Sequence, residues 1–113
     1  MKSLLTVTAL IEGATGLALI FVPSLVVSSL LGTTLIDPTA FLLAKLAGVA
    51  LITIGLACWF SRTELLSKVM VKAMLGYNLF SISLLVYSAL IENLYGQGLW
   101  PAVLLHLGLV IWC

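Results

Sequence analysis

Charge is scarce in this chain. Asp, Glu, Lys and Arg make up only 8% of its 113 residues, where a soluble domain carries about a quarter. The formal net charge of +1 provides neither a basic surface for nucleic acid nor an acidic tail, so long-range electrostatics select no partner of that kind. Cysteine is nearly absent. Cys58 and Cys113 are too few for a disulfide framework, and in their apolar surroundings they read as small hydrophobes rather than redox groups. The chain has one histidine, His106, and lacks the ligands that a tetrahedral metal site would need beside it, so no metal, haem or other cofactor is expected. No phosphate-binding loop and no activated nucleophile with a nearby base is visible, and the chain is read as non-enzymatic.

Apolar sequence fills the space that charge leaves. Hydrophobic residues account for 63% of the chain, with a mean hydropathy of +1.30, which marks an integral membrane protein. Four apolar segments stand between short polar breaks, at about 3–22, 40–60, 69–91 and 99–113. The first three reach the roughly 20 residues that span a bilayer. The fourth is shorter, about 22 Å as a helix, and crosses if the bilayer thins locally or the chain end lies at the interface. Lys2 before the first segment invites comparison with a signal peptide, but the run is long, contains Glu12 and lacks an A-x-A cleavage pattern, so a retained helix is expected. Pro38 and Pro101 suit the first turn of a helix, where a missing N–H does no harm. The Ser24 to Leu31 piece is too short to span and is expected along the interface. The fold predicted from these features is all-α, a single transmembrane four-helix bundle.

Orientation follows from the basic residues. Lys2, Arg62, Lys68 and Lys72 flank the N-terminus and the middle loop, while the opposite loops hold Asp37 and Glu92. The positive-inside rule then puts both termini in the cytoplasm, with Trp59 and Trp112 at the inner interface and Trp100 and Tyr95 at the outer one.

Against this background the stretch LIEGATGLAL stands out, because Glu12 interrupts a membrane-spanning run. Counting along the helices puts Glu12 and Asn78 about 13–14 Å deep in a middle layer, and Lys45 and His106 about 8–10 Å deep in an outer one. Ala9, Glu12, Gly13 and Gly16 recur at helical spacing, as do Lys45, Gly48, Ile52 and Gly55. Small residues mark close helix contacts in membranes, so both faces are expected to look into the protein. Asn78, Ser81, Leu85 and Ser88 form a weaker polar stripe, and Tyr77 sits about 100° around from Asn78.

A mid-membrane carboxylate costs several kcal/mol unless it is paired, hydrated or protonated. Glu12 is therefore a hydrogen-bonding post for Asn78 or Tyr77, a proton carrier, or a ligand-binding carboxylate. Lys45 is either its counter-charge or a side chain snorkelling to the outer surface. The candidate ligand-binding or proton-carrying set is Glu12, Lys45, Asn78, His106 and Tyr77.

The blocks LIEGATGLAL, FLLAKLAGVALITIGLACW, GYNLFSISLLVY and LWPAVLLHLGLVIWC resemble a group of small bacterial four-helix membrane proteins, loosely similar to the DoxX-like proteins, and the likeness runs over nearly the whole chain. It implies a multi-pass protein of the bacterial inner membrane. A second likeness, in length, helix number and a first-helix glutamate, is to the small multidrug resistance transporters, and it implies proton exchange at Glu12. Lys45, His106 and the strong positive-inside bias depart from that pattern. The function expected is an accessory or binding component whose partners are the lipid bilayer and other membrane proteins or a second copy of itself. The alternative is a proton-coupled small-molecule transporter using Glu12.

Overall fold

A computed structural model of the chain describes residues 2–113. Among the described residues the protein is all-α, with five helices: α1 (Lys2–Phe21), α2 (Pro23–Leu31), α3 (Pro38–Phe60), α4 (Glu64–Leu90) and α5 (Leu99–Trp112). Three of them, α1, α3 and α4, are long and apolar enough to cross a membrane, while α5 is a shorter apolar helix. Leu10, Leu46, Phe80 and Leu104 stand exposed on four different helices. In water such surfaces invite aggregation; lipid solvates them at no cost.

The helix boundaries have local causes. Pro23 and Pro38 occupy first-turn positions of α2 and α3, and the Asp37 side chain caps α3 by accepting from the Thr39 N–H at 3.1 Å. α2 ends at Gly32, whose φ of 67° places it in the left-handed region that glycine adopts freely. One expectation needs correction: α4 begins at Glu64, five residues before the apolar segment at 69. Hydropathy reports where the apolar run begins, whereas the helix starts among polar residues, with Glu64 in its first turn.

Packing divides the molecule into two helix pairs. α1 lies along α3 over most of its length, and α4 lies along α5, with much less contact between the pairs. The α1–α3 seam is made by glycines. A methyl group on Gly16 would stand 2.6 Å from the Gly48 carbonyl oxygen, and one on Gly48 the same distance from the Gly16 oxygen. Only bare backbone permits that approach. Gly13 lies on the same seam, its backbone nitrogen 3.2 Å from where a Cβ on Gly55 would stand, yet a Cβ on Gly13 itself would meet nothing within 4 Å.

All four longer helices converge at one end. Leu4, Leu5 and Ala9 of α1, Cys58 of α3, Val71 and Met74 of α4, and Leu109 of α5 form a buried cluster. Away from it the pairs diverge, and α2 bridges the gap. The Gly96 N–H donates to the Leu30 oxygen at 2.9 Å and the Gly98 N–H to the Ser29 oxygen at 2.6 Å, tying the end of α2 to the α4–α5 loop. A second cluster, Ala89, Leu99 and Val103 with Leu31 of α2 against it, closes that end.

Candidate functional site

Between the diverging pairs lies a cleft of about 710 Å³. α1 contributes Glu12 and Thr15, α2 contributes Leu25, Val26 and Leu30, α4 contributes Tyr77 and Ser81, and α5 contributes Ala102, Leu105 and His106. Its walls are mostly apolar, and its ionisable groups sit at the end nearer the four-helix cluster.

Glu12 lies near the middle of α1 and is buried, 3% exposed. The Tyr77 hydroxyl donates to its Oε2 at 3.2 Å, long for an O–H···O bond. That contact leaves Oε1 free for another donor. The Tyr77 ring meets His106 edge to face, with centroids 5.9 Å apart. His106 Nδ1 lies 2.7 Å from Asn78 Oδ1. Asn78, 1% exposed, in turn donates from Nδ2 to the Met74 carbonyl oxygen at 2.7 Å. Three helices thus carry a connected polar set: Glu12 on α1, Tyr77 and Asn78 on α4, His106 on α5.

Four of the five expected residues come together here, but not in the expected arrangement. His106 was placed with Lys45 in an outer layer, yet it meets Asn78 in the middle one. The α4–α5 connection explains this. The Leu94 N–H donates to the Ser88 oxygen at 2.8 Å and the Ser88 hydroxyl to the Leu94 oxygen at 3.3 Å. The connection therefore folds back along α4, so that α5 starts deeper than loop length implies. Of the two partners expected for Glu12, Asn78 or Tyr77, it is Tyr77 that holds the carboxyl, while Asn78 pairs with His106.

Lys45 is not part of the set. It is exposed and lines a separate hollow with Ile20, Phe21, Pro23 and Phe41, at the end of the molecule where α2 begins. Exposed and apart from the carboxyl, it is not the counter-charge of Glu12. Glu12 also parts from the glycines with which its spacing grouped it: Gly16 packs on α3, whereas Glu12 turns to α4. Sequence reasoning missed Thr15, one turn beyond Glu12, and the α2 residues of the cleft. The i, i+3 spacing from Glu12 could have pointed to Thr15.

Among the described residues no three His, Cys, Asp or Glu side chains gather where a metal ion would be held. Chemically, the set can accept or donate hydrogen bonds to a molecule in the cleft, and Glu12 and His106 can each exchange a proton. Comparison with known proteins finds no matching family model, no matching curated protein and no matching solved structure.

Proposed function

We propose that this is a non-enzymatic binding protein of the bacterial inner membrane. α1, α3, α4 and α5 cross the bilayer as a four-helix bundle with both termini in the cytoplasm, and the cleft holds a small, mostly apolar molecule. One observation carries the reading: apolar walls surround a cleft of about 710 Å³ in which ionisable side chains from three helices converge at one end. That combination of an apolar enclosure with a few placed polar groups is the usual make-up of a ligand site. The orientation is supported by Lys2 and Arg62 lining one hollow at the end where α1 begins and α3 turns into α4, with Asp37 and Glu92 on loops at the opposite end. The exposed apolar faces supply surface for other membrane helices, which fits an accessory component.

The test is purification in lipid nanodiscs, followed by identification of bound small molecules and copurifying membrane proteins. An apolar molecule retained near one per protein, and lost when Ala102→Trp fills the cleft, is the expected result. Identical bound material in the two proteins would sink the proposal. A second reading, a proton-coupled carrier, is favoured by Glu12 itself: a mid-helix carboxyl that lines the cleft and is held by a single long hydrogen bond.

A further inference from the structure

The hydrogen bonds around Asn78 determine more than packing. The Met74 carbonyl oxygen can only accept, so the Asn78 atom 2.7 Å from it must be the amide nitrogen. The other amide atom, facing His106 Nδ1 at 2.7 Å, is then the oxygen, which also can only accept. His106 must therefore carry a proton on Nδ1. In the neutral imidazole this leaves Nε2 as a bare acceptor, on a side chain that lines the cleft. Glu12 adds a second acceptor beside it: the Tyr77 hydroxyl donates a hydrogen bond to Oε2, and in the ionised carboxyl Oε1 has lone pairs to spare. The charged and aromatic members of the polar end thus offer lone pairs where a ligand head would sit.

Resting on the binding reading above, we infer that the cleft takes an apolar molecule whose head group donates hydrogen bonds, a primary amine or a primary alcohol, and that Asn78 is the positioning residue that imposes this choice by fixing the His106 tautomer. Beside His106, a head that only accepts, such as a ketone, would meet the Nε2 lone pair with a lone pair of its own. A quaternary ammonium has charge but no N–H to give. Discrimination of this sort is steep because an unmatched acceptor inside lipid has no water to turn to.

His106 is the only histidine in the sequence, so ¹⁵N-labelled histidine reports on this ring alone. The protein is placed in phosphatidylcholine nanodiscs, whose lipid heads carry no N–H or O–H donor. The ligand-free spectrum should show a protonated Nδ1 and an unprotonated Nε2. Dodecylamine and dodecanol should bind saturably and shift the Nε2 signal, with the amine and alcohol arms separating charged from neutral donors. 2-Tridecanone and dodecyltrimethylammonium should bind roughly tenfold more weakly, as loss of one good hydrogen bond implies, and leave Nε2 unmoved. Asn78→Leu should give a mixture of tautomers and erase most of that preference. His106→Phe keeps the ring contact with Tyr77 and should remove most of the preference among the four probes, leaving only what Glu12 contributes, so the inference stays testable if Asn78→Leu does not fold. A protonated Nε2 in the ligand-free protein, or a ketone that binds as tightly as the alcohol, would overturn the inference and leave the binding reading standing. Failure of all four probes to bind saturably would overturn both.

Discussion

Tyr77 holds Glu12 through a single hydroxyl, and that makes the pair the most informative place to alter one atom at a time. Glu12→Gln keeps the shape and can still accept from Tyr77, so the fold should survive with a thermal midpoint within a few degrees of the original. If Glu12 carries protons, the same change abolishes substrate-dependent proton movement in a liposome pH-gradient assay while the fold persists. If it only binds, no proton movement occurs in either protein. Tyr77→Phe removes the donor and leaves a buried carboxyl without its hydrogen bond, which should lower stability by about 1–3 kcal/mol, read as a drop in the midpoint of thermal unfolding in detergent. An unchanged midpoint would mean that the 3.2 Å contact contributes nothing. Which polar residues gather at the cleft was largely legible from sequence, four of the five singled out converging there, because a polar side chain in an apolar run has few reasons to be there. Which of them touch was not. Helical spacing groups Glu12 with Gly16, about 40° around the same helix, but two neighbouring helices share that arc: α3 takes the glycine and α4 the carboxyl.

At the scale of elements, the glycine seam between α1 and α3 is where a small change does the most damage. Gly48→Leu would drive a side chain into the Gly16 backbone 2.6 Å from its first carbon. Backbone cannot rotate away as a side chain can, so the helices must part, and the midpoint should fall by roughly 5–15 °C. Gly13→Ala enters open space and should leave the midpoint within about 2 °C, helped by the better helix propensity of alanine. Equal effects at the two positions would show the seam to be misplaced. Hydropathy alone located the long helices, because backbone in lipid has no alternative to the helix. It could not reveal that α4 starts at Glu64 or that the Ser24 to Leu31 piece belongs to a helix bridging the two pairs. The first rests on backbone hydrogen bonding that starts with the Ser67 N–H on the Thr63 oxygen, to which hydropathy is blind. The second rests on Gly96 and Gly98 fitting against the Ser29 backbone, a contact between segments more than sixty residues apart.

For the whole molecule, the proposed orientation has a direct check. Reporter fusions at Cys113 and within the Ser61 to Lys68 segment should both register cytoplasm, and insertions near Asp37 and Tyr95 should register the other side. A mixed pattern would mean that the chain inserts both ways and that the four basic residues do not decide its topology. The wedge shape belongs to this scale as well. On the proposed membrane reading, pairs that meet at one cluster and are bridged by α2 at the far end would leave the cleft's sides facing lipid, a route to Glu12 for a membrane-dissolved ligand that avoids water.

The separation of Glu12 from Tyr77 by 65 residues also sets a clock. In a chain inserted as it is made, at about 5–20 residues per second, Glu12 is synthesised roughly 3–13 seconds before Tyr77 exists. The α1–α3 seam involves residues no later than Phe60 and can close within that interval, but it covers the glycine side of α1 and leaves the carboxyl uncovered. On the proposed membrane reading, Glu12 would then enter the bilayer before Tyr77 exists, carrying its proton or a water until the tyrosine hydroxyl arrives with the second half of the protein.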